Sequence, residues 1–152
     1  MTATAHASWR PTQREQAALA RQQHVQSFGR VDQLWPWLSD HHGEVLAVDA
    51  PHATHPERFS YRELADRISL AAAAFRRIGV TAGDVVSLFA ENSPRWLVAD
   101  QGLMRAGAID AVRGAAAPVE ELRYILEDSG SVALVVQNAE LLQRLELSAQ
   151  WR

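Results

Sequence analysis

From residue 60 onward the apolar positions alternate between two periods. Leu64, Ile68, Ala71, Ala72, Phe75 and Ile78 recur at three- and four-residue steps, which puts them on one face of a helix. Ser60-x-x-Glu63 stands at its start as a capping box, the Ser oxygen taking an orphan N–H while the Glu reaches back. Gly79 supplies a left-handed C-terminal cap. Val85–Ala90 is then continuously apolar, the pattern of a strand buried on both faces. Ser93-Pro94 marks a second helix, with Ser as cap and Pro at the first position. That helix carries Trp96, Leu97, Leu103 and Met104 and ends near Gly107. Ala108–Val112 reads as a second strand. Pro118 opens a third helix, with Glu120 and Glu121 where the dipole favours anions. Its inner face is Leu122, Ile125 and Leu126, and Gly130 closes it. Val132–Gln137 is a third strand, and Asn138 caps a last helix that turns Leu141, Leu142 and Leu145 inward.

The part before residue 60 is less regular. Glu44–Ala50 has strand character, Pro51–Glu57 is a proline-bounded loop, and Arg58–Tyr61 returns, which makes a hairpin. Val31–Leu38 contains Trp35-Pro36-Trp37. Two tryptophans around a proline could stack on a ligand, but a short helix plugging the edge of the core is the simpler reading. Met1–Arg30 forms an arm. Strands alternating with helices imply right-handed crossovers. The expected fold is therefore α/β: a partial three-layer parallel sheet with flanking helices, preceded by a small β-hairpin and an N-terminal arm.

Composition narrows the chemistry. A chain of 152 residues is one domain or a piece of one, and at 47% hydrophobic with a net charge of -3 it has the means to bury a core. A pI near 6.0 argues against a nucleic-acid binder. The absence of cysteine excludes disulfides, thiolate metal sites and a cysteine nucleophile. All 15 basic residues are arginine, which excludes a phosphate-loop lysine and a Schiff-base lysine. The longest apolar run, Leu70–Phe75, falls far short of the ~20 residues of a membrane span. With no apolar leader at the start, the expected location is cytoplasmic, and peripheral membrane association stays open. Residues 1–30 hold four arginines against Glu15 alone. A transit peptide would look like this, but the Gln-rich stretch Gln13–Gln26 reads more simply as a solvated helix or loose arm.

Few residues are placed for catalysis. Arg113-Gly114 follows the second strand at its carboxyl end, where open α/β sheets put ligands, so these two are the candidate phosphate contacts. Neither dinucleotide nor Walker glycine patterns occur. Ala115–Ala117 lacks the Ser, Thr or Gly of a phosphate loop, and an ordinary connection is the simpler reading. His41-His42 and His52-x-x-His55 fall in loops, and Pro51 and Pro56 argue against a helical metal pair. No G-x-S-x-G elbow is present. Ser87 lies in a strand, Ser93 is a cap and Ser129 ends a helix. Glu120-Glu121 and Glu127-Asp128 are adjacent on helices, so they do not face one another. Taken alone, these residues describe a soluble parallel α/β module with neither catalytic nor metal residues.

A longer series of short matches adds to this. Phe59-Ser60-Tyr61-x-Glu63-Leu64 is followed by Gly79-Val80-x-x-Gly83-Asp84-Val85-Val86 and by Asn92-Ser93-Pro94-x-Trp96. Ala106-Gly107-Ala108 and Glu120-Glu121-Leu122-x-Tyr124-Ile125-Leu126-Glu127-Asp128-Ser129 complete it. In order and spacing the series resembles the start of the adenylate-forming, AMP-dependent synthetase/ligase superfamily. Asp110-Ala111-Val112-Arg113-Gly114 with Pro118-Val119-Glu120-Glu121-Leu122 looks most like its long-chain acyl-CoA or acyl–acyl carrier protein synthetase branch. The resemblance implies residues 1–30 as an arm and 31–152 as the N-terminal portion of a large domain, truncated before the phosphate loop and the lysines. It implies ATP and Mg²⁺ for full-length members and no cofactor, and no catalytic residue, for this chain. Uncovered strand edges and apolar helix faces in such a piece would suit a non-catalytic module that pairs with a complementary chain, a full-length paralogue or a second copy.

Overall fold

A computed structural model describes residues 11–25, 28–53 and 56–147 of the chain. Helix α1 (Gln13–Val25) is set by Thr12, whose Oγ1 accepts the Glu15 amide at 3.3 Å while the Glu15 carboxylate accepts the Thr12 N–H at 2.7 Å. Side chains 12–20 are exposed, so α1 is solvated over those positions, as expected of a surface helix; Gln26 lies outside the described residues. A single 3-10 turn (Val31–Gln33) leads into α2 (Leu34–His42). Pro36 is tolerated there because it sits in the first turn, where no intrahelical N–H partner is lost.

Strands β1 (Leu46–Ala50) and β2 (Glu57–Ser60) pair antiparallel, Val48 opposite Phe59, as the hairpin expectation required. Ser60 then caps α3 (Tyr61–Arg77): its Oγ accepts the Glu63 amide at 3.3 Å and Glu63 accepts the Ser60 amide at 2.7 Å. Leu64, Ile68 and Ala72 are buried along one stripe. Ile78 departs from that stripe at 73% exposure. It stands one residue past the last helical turn, where Gly79 takes φ +104° and turns the chain away.

Three strands then build the parallel sheet: β3 (Val85–Phe89), β4 (Ile109–Arg113) and β5 (Ala133–Val136). Their order is β4-β3-β5, with Val86 beside Asp110 and Ala133. Helix α4 (Pro94–Ala106) connects β3 to β4, capped by Ser93 and stopped by Gly107 at φ +89°. Helix α5 (Val119–Asp128) connects β4 to β5, and α6 (Ala139–Arg144) follows, with Asn138 Oδ1 accepting the Leu141 amide at 2.8 Å.

Alternation along the strands separates two apolar layers. Val86, Ala133 and Val135 pack with Val80, Leu103, Ala108 and Phe75 on the side of α3 and α4. Phe89, Leu134 and Val136 pack on the other side with Leu122 and Leu126 of α5 and with Leu141 and Leu145. Helices thus cover both faces, which explains why β3 reads as an unbroken apolar run. Leu142 is the second departure, at 47% exposure. The six-residue α6 presents only its 141/145 row to the sheet. A third cluster, Phe59, Leu64 and Ile68 with Trp35 and Leu97, ties the hairpin and α2 to the α3–α4 pair. Helices α3 and α4 approach closely because Gly102 has no side chain: a Cβ there would lie 2.7 Å from Ala71 Cβ.

Candidate functional site

The crest to inspect in an open parallel sheet is the carboxyl end of its strands. Here the chain closes it tightly. The Ala90 amide donates to the Arg113 carbonyl at 3.1 Å, and the Gln137 amide to the Phe89 carbonyl at 2.9 Å. Gln137 Oε1 in turn accepts the Glu91 amide at 2.8 Å. Arg113 points from the end of β4 to α5, where its Nε donates to Glu121 Oε1 at 2.6 Å. Hydrogen bonding to Arg113 holds the Glu121 carboxyl below its ordinary value, and Glu121 raises Arg113 in return.

Gly114 does not stand over open space. A Cβ there would meet Glu91 Oε1 at 3.2 Å, and the same oxygen accepts the Ala116 amide at 3.0 Å. The loop after β4 therefore donates to the protein's own carboxylate. Ala115 and Ala117 turn down into the Phe89–Leu122 cluster, at 9% and 7% exposure. That packing explains alanine where a phosphate-binding loop would carry hydroxyls. The crest brings Arg113 and Gly114 together, as their adjacency requires, but between two carboxylates. Glu91 and Gln137 were not singled out by sequence; their place just beyond strand ends was the only available signal.

The other sequence candidates resolve as follows. His41 and His42 lie in the last turn of α2 and not in a loop, because the helix runs on past Trp37. His41 stacks on Trp37 with ring centroids 4.4 Å apart, and its Nδ1 lies 2.9 Å from the Trp37 carbonyl oxygen. His42 meets the same indole edge-on. His52 is exposed, and His55 lies outside the described residues. Among the described residues no group of three or more His, Cys, Asp or Glu is placed to hold a metal. Ser87 is fully buried against Ser131, Oγ to Oγ at 2.8 Å, with Ser129 2.7 Å beyond. Ser93 is occupied by the Trp96 amide. Trp35 does plug the core: it packs on Phe59 and Leu64 and donates to Gln101 Oε1 at 2.7 Å.

Among the described residues, surface cavities lie elsewhere. A groove of about 530 Å³ runs between α3 and α4 over Leu70, Ala74, Phe75 and Val98, with Arg67 and Arg95 on its rim. A second of about 520 Å³ sits at the amino end of the sheet among Arg30, Arg76 and Arg105. Two of those arginines lie in the last turns of α3 and α4, where the helix dipole favours a cation. Arg76 donates to the Arg105 carbonyl at 2.5 Å and Arg30 is forked onto Asp32 at 2.8 and 2.9 Å.

Comparison with known proteins supplies the rest. Residues 37–150 match the family model described as AMP-binding enzyme. An Arabidopsis thaliana protein named "Probable acyl-activating enzyme 16, chloroplastic" is 42% identical over 122 residues, 80% of this chain and 17% of the relative. The chloroplastic long-chain-fatty-acid acyl-carrier-protein ligase AEE15 of the same plant is 40% identical over 115 residues, 76% of this chain and 16% of the relative. Among solved structures, the N-terminal domain of FACL13 from Mycobacterium tuberculosis superposes with a TM-score of 0.72 at 19% identity, covering 80% of this chain and 31% of that one. The N-terminal subdomain of Klebsiella oxytoca NpsA, in complex with 3-hydroxyanthranilyl-AMSN, gives 0.70 at 21%, covering 81% and 30%.

Proposed function

The chain belongs to the AMP-binding enzyme family, and we propose that it serves as the opening framework of a ligase that activates a long-chain fatty acid as its adenylate and passes it to a thiol. It resembles the N-terminal part of long-chain fatty acid and acyl-carrier-protein ligases, and it spans about a sixth of the length of the curated relatives it matches. The observation that carries the reading is the 40% identity to the fatty-acid ligase over 115 residues. The division into an arm at 1–30 and a framework at 31–152 is part of the same proposal, as is a cytoplasmic location. Two relatives carry chloroplastic names; among the described residues no helix is long and apolar enough to cross a membrane.

The family works with ATP and Mg²⁺ in general. The crest residues of this chain do not fit a triphosphate. Arg113 is already held by Glu121, and Glu91 already occupies the Ala116 amide. A phosphate drawn there would meet two carboxylates, and adenylation depends on positioning and on stabilising negative charge. No step of the reaction is therefore assigned to these residues, and the 152-residue chain by itself is expected to be inactive. ATP–pyrophosphate exchange tests this: background turnover is the expected result, and robust exchange overturns it. A nucleotide contact through Arg113 and Gly114 requires the Arg113–Glu121 pair to open. Calorimetry with ATP and AMP, wild type against Arg113→Ala, decides that point.

A second reading, a non-catalytic module that pairs with a complementary chain, a full-length paralogue or a second copy, is favoured by apolar side chains on β4 and just before β5. Ile109 is 56%, Val112 42% and Val132 58% exposed. Size-exclusion chromatography with light scattering separates the readings: a clean monomer at high concentration counts against pairing.

A further inference from the structure

The groove between α3 and α4 is charged at one end and apolar along the rest. The two helices advance together along it. The cluster around Ile68 takes in Leu97 and Val98, and further on Ala71 and Phe75 stand against Gly102. Helix α4 follows β3 at its carboxyl end, so Pro94 and Arg95 mark the crest side of the groove. Arg67 lies at the same end. Its guanidinium covers the Phe59 ring at 4.6 Å and reaches Glu57 at 3.6 Å. Among the described residues Glu57 is the only acid lining the groove, and Arg67 takes up its charge. The Arg95 side chain is exposed and, among the described residues, makes neither hydrogen bond nor ion pair. That end therefore keeps one uncompensated positive charge. Away from it the floor is Leu70, Ala71, Ala74, Phe75, Val98 and Ala99.

We propose that this groove binds an unbranched aliphatic carboxylate, with its head on Arg95 and its chain laid along the floor toward Phe75. Three features select that chemistry. The free positive charge is confined to one end, which suits a ligand with a single anionic head. An amphipathic peptide helix would need partners for charges along its whole flank. The amino end of α4 places the positive pole of its dipole at the same spot, which adds to the attraction. The floor is long and hollow. From Arg67 to Phe75, α3 rises about 12 Å at ~1.5 Å per residue. The alanines at 71, 74 and 99 leave a trough of about 530 Å³, which a slim chain fills. A bilayer would instead be met by a projecting apolar patch, and here Leu70 alone among the lining residues is a large apolar side chain so exposed, at 73%.

The groove holds the carboxylate and does not react with it, so no bond is made or broken there. The proposal stands on the groove alone. Its failure leaves the ligase reading untouched, because that reading rests on sequence identity and is tested by ATP–pyrophosphate exchange.

The test uses the 152-residue chain and decanoate below micelle formation, read by calorimetry and by methyl NMR of Leu70 and Val98. Decanoate should bind and move both sets of methyl signals. Butyrate lacks the tail and decyltrimethylammonium reverses the head, and each should bind at least about tenfold more weakly. From hexanoate to decanoate, each added methylene should tighten binding about two- to fourfold. Arg95→Gln should weaken decanoate about three- to fivefold and erase its advantage over the cationic probe. Ala74→Gln fills the floor from an exposed position of α3 and should abolish the methyl shifts while the fold, followed by circular dichroism, is kept. Decanoate that leaves the methyl signals in place, or that binds Arg95→Gln and Ala74→Gln as tightly as wild type, overturns the proposal. Co-sedimentation with phosphatidylglycerol vesicles that Ala74→Gln abolishes and decanoate does not compete overturns it too, by making the groove a membrane contact.

Discussion

Strand β4 acts on two acids from positions only three residues apart, and they behave in opposite ways. Asp110 influences another carboxylate, the almost fully buried Asp100 of α4, whose own burial is the larger cause of its raised value. At Arg113 the partner is Glu121, an opposite charge 2.6 Å away at the rim, with side chains 47% and 40% exposed. The inner acid is driven toward its neutral form and the outer one toward its ionised form. Burial and the sign of the neighbour act together at each position. The inner acid is costly to ionise but tightly coupled to the fold. The outer one is well paired but screened by solvent.

The largest test of that contrast is to make the interior resemble the rim. Leu103 is fully buried on α4, three residues after Asp100. Leu103→Ala should cost about 2–5 kcal/mol and, by admitting water, bring Asp100 back toward its ordinary value. Urea unfolding together with an aspartate titration checks both halves. Next in size, Trp35→Phe removes the donor to Gln101 Oε1 and leaves a largely buried acceptor unmet, a loss of about 1–3 kcal/mol. Chemical denaturation at a single pH measures it.

The pH response follows with its sign fixed. The proton affinity of Asp100 is raised in the fold, from 3.8 to about 6. Between those values the folded chain binds more protons than the unfolded one, so stability falls as pH rises. The contribution is whole below 3.8 and gone above about 6. Asp100→Asn should therefore raise the melting midpoint near pH 8 and leave it unchanged near pH 4, as calorimetry would record. Glu121 has the opposite sign: its lowered value stabilises above 4.5 and is lost as pH falls through the shifted value. The smallest effect is expected at this rim pair. Arg113→Ala should leave the melting midpoint within the error of the fit while returning Glu121 toward its ordinary titration by NMR.

How far the sequence reaches depends on how local each feature is. The Ser60, Ser93 and Asn138 caps were legible because a cap and its recipient amide lie three residues apart. Strand β3 was legible because both faces are covered and its apolar run has no gap. Ile78 and Leu142 were misplaced because the periodic pattern runs on past a helix stop in one case and around a very short helix in the other. The influence of Asp110 on Asp100 could not be read at all. It exists only once β4 settles beside β3 in the register Val86 to Asp110, and no spacing along the chain encodes that. The same holds for Glu91, which reaches a loop 25 residues away.

The order β4-β3-β5 also has a consequence during synthesis. The central strand, the most thoroughly buried of the three, leaves the ribosome before either neighbour that will pair with it. At translation speeds of roughly 5–20 residues per second, Val85–Phe89 waits for several seconds before Val136 emerges. Until Arg113 emerges, a nascent Val-Val-Ser-Leu-Phe segment carries unpaired backbone on both sides, and until Val136 emerges it does so on one. Of the three strands it is the one left longest with an apolar, unpaired backbone.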